Sequence, residues 1–373
     1  MKAENADRKR ATRNSIYRYL YNSKEFCSRR TLADELELSL PTVYQNLSEL
    51  MDMGLVHVTD ERLSTGGRRV EGLSVSPDAR CAVGVSISAD SLRISLVDLC
   101  LNETGYKKTA LARLDSRGVN CKLIADEVNA FIEEFAVPTE RLLGVGFAVP
   151  GVVSADKFML EYAPTLGLRD FSLEELRSEI PYPVHIENDA NCGGGAEWFV
   201  RDPKQNLAYL SLEQGIGGAL FCGGTPFYGD DHRSGEFGHI CVEPGGLPCS
   251  CGRQGCLEAY CSSKRISTEL GITLDEFFKG VEEHNLEYEM LWNDLLRHLA
   301  VGINSIRMIL DCDVVLGGFL SEYIAPYLPR LKEYLSAMNI FEPSAEYLHL
   351  SRRRHTVPVG AALYFITKFL EEL

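Results

Sequence analysis

The 373-residue chain has no run of about 18 apolar residues, so nothing in it reads as a transmembrane helix. Met1 to Arg13 is polar and basic with no apolar core behind it. No secretory signal peptide is expected there, and the cytoplasm is the default location. Low-complexity tracts are missing, as is any repeat with a period of about 20–50 residues. Positive charge is also in short supply. Against 53 Asp+Glu stand 38 Lys+Arg, a net charge of −15, which argues against nucleic-acid binding by the molecule as a whole. The shortage is uneven. Residues 1–75 hold 12 Lys+Arg and 11 Asp+Glu, so a near-neutral, locally basic head precedes an acidic body. Only that head could grip a duplex.

The head reads as three helices and a ribbon. The first helix is expected from about Arg8 to Tyr21, with Ile16, Tyr19 and Leu20 at helical spacing. A second follows Ser28 and carries Leu32, Ala33 and Leu36. A third follows Ser39, with Pro41 in its first turn, where a missing N–H costs little. Its apolar stripe is Val43, Leu47 and Leu50, and Gly54 ends it. Leu55 to Val58 then starts a strand, and Ser64-Thr65-Gly66-Gly67-Arg68-Arg69 is a turn before the return strand. This order is that of a winged helix-turn-helix. The third helix would offer Thr42, Tyr44, Gln45 and Asn46 to a major groove. Arg68 and Arg69 at the wing tip would suit a narrow, electronegative minor groove. The plainer reading is a small helical protein-interaction domain. The capping Ser39 and the glycine-arginine tip favour the DNA-binding one.

Residues 76–80, with Ser76-Pro77-Asp78, form a short linker to a body spanning 81–373. Strand-like runs Cys81–Ile87, Leu92–Leu99 and Leu143–Val149 alternate with a helix near Val119–Phe135, which implies an α/β architecture. A long helix, about Met290 to Leu310, precedes the strand Asp313–Leu316.

Of twelve cysteines, three crowd into one loop. His239, Cys249, Cys251 and Cys256 follow the pattern H-x9-C-x-C-x4-C, with Gly245, Gly246, Gly252 and Gly255 letting the loop fold tightly. Three thiolates and one imidazole make a closed tetrahedral set, which suits structural Zn²⁺ and leaves no position open to activate water. Free thiols would not need the glycines, and a redox pair would not need His239.

Polar chemistry gathers in four other places. Val149-Pro150-Gly151 ends a strand in a sharp turn, and Glu187-Asn188-Asp189-Ala190-Asn191 follows the strand Pro183–Ile186. Glu236-Phe237-Gly238-His239 leads into the cysteine loop, and Glu258 lies just past it. Carboxylates, amides and an imidazole at strand ends are the groups that read sugar hydroxyls, each of which both donates and accepts. Taken singly, each would more often be a helix cap or a surface charge. His239 could serve twice, one ring nitrogen on the metal and the other toward a ligand.

These pieces resemble the ROK family of repressors, open reading frames and sugar kinases. The resemblance rests on Ala148-Val149-Pro150-Gly151, Tyr162 to Gly167, Glu187 to Asn191, Gly215-Ile216-Gly217-Gly218, Glu236 to His239, Cys249 to Glu258 and Val315-Leu316-Gly317-Gly318, in family order across about residues 81 to 373. It implies a two-lobed actin-like α/β fold with a sugar in the cleft. Lobe one would be about 81–195 plus a C-terminal helix of about 358–373, and lobe two about 196–357 with the zinc loop. It also implies Asn188, Asp189, Glu236, His239 and Glu258 as the sugar-binding set. In kinases of the family the position of Asp189 is the general base.

The departures favour a regulator. The family's kinases open with a D-x-G-G-T phosphate turn, and here Ser86-Ile87-Ser88-Ala89-Asp90 stands in its place. The second phosphate loop, usually G-T-G-I-G-G-G, reads Glu213 to Ala219. Phosphoryl transfer depends on positioning and neutralising phosphate charge. Glycines lost and carboxylates gained should repel ATP, by on the order of 4 kcal/mol for a charge at 4 Å in an intermediate dielectric. No ATP and no catalysis are expected. The expected protein is a sugar-responsive repressor of carbohydrate catabolism genes, a homodimer or tetramer on operator DNA without membrane contact. It resembles the family's xylose, glucose and N-acetylglucosamine repressors. The alternatives are a working sugar kinase, or a regulator with a vestigial pocket that answers to a partner protein. Arg169 and Arg233 are the cations nearest the motifs, and so few of them weakly favour a neutral sugar.

Overall fold

The computed structural model describes residues 2–23, 27–63, 70–111, 121–154, 158–201 and 206–373. The head comprises α1 (Lys2–Asn22), α2 (Arg29–Glu35), α3 (Leu40–Asp52) and the antiparallel hairpin of β1 (Val56–Leu63) with β2 (Val70–Val75). Helix α1 starts earlier than its apolar spacing announces. Ser28 caps α2 in a reciprocal box with Thr31, and the Ser39 side chain accepts from the Thr42 N–H to cap α3. Both caps stand where the sequence places them. The turn with Arg68 and Arg69 lies outside the described residues.

The head is not an independent unit on a loose tether. Ile16, Tyr17 and Leu20 of α1 share one buried apolar cluster with Leu99, Leu101, Phe365, Ile366 and Leu370 of the body. The Tyr21 hydroxyl donates to the Leu99 carbonyl at 2.7 Å. The expected linker is a short turn at Pro77–Ala79, with the Pro77 carbonyl bonded to the Leu99 N–H.

The body holds two five-stranded sheets. The first runs through β3 (Cys81–Ile87), β4 (Ser91–Asp98), β5 (Glu103–Ala110), α4 (Cys121–Glu134) and β6 (Leu142–Val149). A small antiparallel sheet of β7 (Val152–Val153), β8 (Met159–Ala163) and β9 (Leu168–Ser172) follows, then α5 (Glu174–Ser178) and β10 (Val184–Asn188). Helix α6 (Asp189–Phe199) leads to the second lobe, with β11 (Leu207–Leu212), β12 (Ile216–Cys222), β13 (Thr225–Pro226), α7 (Leu257–Cys261), α8 (Ser263–Leu270), α9 (Leu274–Glu282) and α10 (Leu286–Leu310). It ends with β14 (Asp313–Gly317), α11 (Leu320–Ile324), α12 (Leu328–Met338), β15 (Leu348–Leu350) and α13 (Thr356–Glu372).

The two sheets have the same order. The first is β10-β6-β3-β4-β5 and the second β13-β12-β11-β14-β15. In each, the first three strands in sequence pair antiparallel and the last two pair parallel. The chain is therefore a structural duplication that its amino acids do not show as a repeat. Among the described residues no helix is long and apolar enough to cross a membrane.

Helices α6 and α13 pack on each other between the sheets. The expected boundary at 195/196 cuts through α6, which is continuous and lies against β11 and β12 as well as α13. Helix α13 meets β3 and β6 at backbone contact. A Cβ on Gly84 would lie 1.7 Å from the Pro358 carbonyl oxygen, and one on Gly360 would lie 1.7 Å from that of Cys192. Gly360→Ala is expected to destabilise the body by about 3 kcal/mol, because backbone atoms cannot swing aside. A melting curve checks this, and an unchanged midpoint would refute the packing argument.

Candidate functional site

Strand β10 ends at Asn188, which becomes the N-cap of α6. Its Oδ1 accepts from the Asn191 N–H at 3.0 Å and its Nδ2 donates to the Gly151 carbonyl at 2.9 Å. Half of its hydrogen-bonding capacity is thus used by the fold, leaving one N–H and one oxygen lone pair for a ligand. Asp189 follows as the first helical residue, and its Oδ1 accepts from the Ala190 N–H at 2.8 Å. Burial in the cleft, reinforced by the Glu213 carboxylate, raises the Asp189 pKa to about 7.

Facing it are Glu236, His239 and Glu258, and all five expected sugar residues line one cleft of about 400 Å³ between the lobes. Glu258 is also held by the fold. Its Oε2 accepts from the Ile216 N–H at 3.0 Å and its Oε1 from the Ser250 hydroxyl at 3.0 Å. Gly215 is needed beside it, since a Cβ there would lie 2.8 Å from Glu258 Oε2.

His239 belongs to two assemblies. Its Nδ1 lies 3.7 Å from Cys249 Sγ, and its Nε2 is 3.9 Å from Glu236 Oε2. One nitrogen therefore faces the cysteines and the other faces the cleft. The ligand atoms of His239, Cys249, Cys251 and Cys256 lie within 4.8 Å of one another and could hold a metal ion. Cys251 and Cys256 Sγ are 3.7 Å apart. That is the edge of a tetrahedron around a metal with thiolate bonds of about 2.3 Å. Burial opposes ionisation of Cys251, yet hydrogen bonds from Arg253 and the neighbouring thiols hold its pKa low, so one thiolate stands ready.

The two turns expected to have lost phosphate binding also line the cleft. Across it, Arg93 on β4 meets Glu213 at the end of β11, with Nη2 to Oε2 at 3.3 Å. Arg93 Nη2 also donates to the Ser86 hydroxyl at 3.3 Å. Sequence reasoning missed Arg93 and Lys108, which are the cations lining the cleft. Arg169 instead lies over the Tyr162 ring at 4.6 Å, and Arg233 is exposed outside the cleft lining. The available signal was a charged residue alone amid the apolar alternation of Leu92–Val97. Tyr228 and Ser234, also missed, line with Glu187 of the polar motif a small side pocket that shares Asn188 and Glu236 with the cleft.

On the head, Tyr44 and Gln45 are exposed on α3 and Thr42 is half-buried. Asn46 corrects its expectation. It is buried, only 3% exposed, and its Nδ2 donates to the Thr42 carbonyl at 2.8 Å. Position 46 follows Val43 by three residues and precedes Leu50 by four, so it lies inside the apolar stripe.

The family model for the ROK family matches residues 82–367. A xylose repressor of Bacillus subtilis is 28% identical over 308 residues, covering 81% of this chain and 76% of that protein. A glucokinase of Halalkalibacterium halodurans is also 28% identical, over 256 residues, covering 67% of this chain and 74% of that protein. Overall identity thus does not separate regulator from enzyme. A solved ROK family transcriptional regulator, described as a homologue of the Escherichia coli MLC protein, has a TM-score of 0.75 at 21% identity. It covers 98% of this chain and 97% of its own, head included. With its two like-ordered sheets, its cysteine loop and a matching stretch that takes in nearly the whole body, the chain belongs to the ROK family.

Proposed function

We propose that the protein is a DNA-binding transcriptional repressor of carbohydrate catabolism genes whose operator affinity is set by a sugar in the cleft. The observation that carries this reading is the Arg93–Glu213 pair. Glu213 is a carboxylate in the second of the two turns that a kinase of this family needs for phosphate and is clasped by Arg93 of the other lobe, while the five residues proposed to read a sugar line the same cleft. The repressor among the relatives and the head in front of the body support it further.

The head would act as a winged helix-turn-helix, with Tyr44 and Gln45 toward the major groove. A homodimer would set two heads on a palindromic operator. Zn²⁺ suits the four ligands and would supply a fixed cross-link for a loop with little apolar core. With Nδ1 committed there, His239 Nε2 is held toward the cleft. A sugar contacting Asn188 and Asp189 on one side and Glu236, His239 and Glu258 on the other would favour one closure angle. Helix α13 packs on α6, on the first sheet and on α1, so a change in closure reaches the head. Sugar and DNA then act on each other through linkage, with equal and reciprocal effects on affinity.

Titration of an operator fragment from the protein's own promoter, with and without sugars, tests this. One sugar should change the affinity roughly 5- to 150-fold. No change with any sugar would refute the coupling. Tyr44→Ala and Gln45→Ala should weaken operator binding by about 1–3 kcal/mol each and leave sugar binding intact. One observation favours a kinase: a carboxylate at about 7 suits a general base. Turnover in an ADP-release assay, lost in Asp189→Asn, would establish that reading instead.

A further inference from the structure

The cleft continues well past the five sugar residues. Its outer arm runs between Ser86, Asp90 and Arg93 of one lobe and Ser211, Glu213 and Gln214 of the other. At about 400 Å³ the whole cleft falls in the range that encloses ligands larger than one pyranose ring. We infer that this outer arm seats the second ring of a neutral disaccharide, whose first ring lies on Asn188, Asp189, Glu236, His239 and Glu258. This rests on the sugar-responsive reading above and specifies its ligand.

Three observations carry the inference. First, the arm offers the mixture of donors and acceptors that reads hydroxyls. The buried Ser86 hydroxyl accepts from Arg93 and keeps its own proton to donate. Arg93 lines the cleft with Nη1 and Nη2 held only by long bonds of 3.3–3.5 Å to Glu213 and Ser86, so its guanidinium has N–H donors to offer a ligand oxygen. The Glu213 carboxylate accepts only long bonds of 3.3–3.5 Å from Arg93, which leaves lone pairs for a hydroxyl.

Second, charge selects against an anion. Asp90, Asp189, Glu213, Glu236 and Glu258 line the cleft against Arg93 and Lys108. A phosphorylated or acidic sugar would meet carboxylates that outnumber the two cations, whereas a neutral saccharide meets those carboxylates as hydrogen-bond acceptors. Burial first and the Glu213 charge second raise the Asp189 pKa to about 7, so a further anion beside it would be disfavoured. Third, Tyr162 lines the cleft and is 38% exposed although Arg169 covers part of its ring, so it adds aromatic surface for the C–H side of a sugar ring.

Calorimetry on the full chain tests this with xylobiose against xylose, and with cellobiose and maltose against glucose. At least one disaccharide should bind about tenfold more tightly than its monosaccharide. Gln214→Ala and Ser86→Ala should each remove about fivefold from the disaccharide affinity and leave the monosaccharide affinity within about twofold. Their melting curves guard against misfolding. Should every disaccharide bind no better than its monosaccharide, the inference is overturned while the sugar reading stands. Tighter binding of glucose 6-phosphate than of glucose would overturn its neutrality. Absence of heat from every sugar would overturn both.

Discussion

Cys256→Ser should strip the protein of bound metal, lower its melting temperature by about 10 °C and abolish the response to sugar. The segment from Ile240 to Cys256 buries little apolar surface, with Val242 its main aliphatic contribution to the core. Its fold is held by tight turns at Gly245, Gly252 and Gly255, all at positive φ. A Cβ on Gly255 would lie 1.9 Å from the Glu243 carbonyl oxygen, so the chain is compressed there with no apolar packing to compensate. A four-ligand ion would supply the missing constraint, and losing one ligand would forfeit several kilocalories of it. At about 2–4 °C per kcal/mol, that gives the expected drop. Function should fail more sharply than stability. Freed from the cluster, His239 would no longer hold Nε2 toward the cleft, and Glu258 would lose its Ser250 partner. Cys241→Ser is the control, an exposed thiol beside the cluster but outside the ligand set. Metal analysis, melting curves and operator titration read the three effects. A variant that retains stoichiometric metal would show that Cys256 is not a ligand.

Asp189→Asn should do two opposite things. It should stabilise the sugar-free protein above neutral pH and weaken sugar binding by about 10- to 100-fold. The first follows from linkage. Burial and Glu213 raise the folded pKa to about 7 from an ordinary 3.8. The folded state therefore binds the proton more tightly than the unfolded state. Ionisation costs the fold stability progressively as pH rises from about 4 to 7, and the full penalty persists above that. Each unit of displacement is worth about 1.4 kcal/mol, so the ceiling is a few kcal/mol. Asparagine carries no such penalty. Its stabilising effect should be absent near pH 4 and largest above pH 7. The second effect follows from losing a charge-assisted acceptor for a sugar hydroxyl, worth about 1.5–3 kcal/mol. Thermal melts from pH 4 to 8, with calorimetry at pH 7.5, measure both. Equal melting of wild type and variant at every pH would show that Asp189 is not strained.

Local signals in the chain were strong wherever short-range chemistry decides structure. Ser28 and Ser39 announced their helices because a hydroxyl before a helical run satisfies an N–H that the helix leaves open. The cysteine loop was legible because three thiols and a histidine on glycine turns have few other uses. Asn46 was misplaced although the information was present, since a polar residue on an apolar stripe was taken for a surface one. Arg93 stood out as a lone charge in an apolar strand, but its partner was not recoverable from its neighbours. A cation within a strand could meet solvent or any acid, and only the second lobe decides that it meets Glu213.

The sequence alone thus determined the elements of the head, the four residues of the cysteine–histidine cluster, the five polar residues that line the cleft and the departures in the two turns. Each was read from a short motif, within which spacing dictates geometry. The duplication of the two sheets, the joining of head to body through α1 and α13, and the clasp of Arg93 on Glu213 were decided by tertiary structure. The reason is physical. Strand order and interlobe contacts join segments that lie far apart in the chain, as with Val83 and Val145 or Arg93 and Glu213. Their pairing is selected by the collective burial of apolar faces, which leaves no mark on any one stretch of chain.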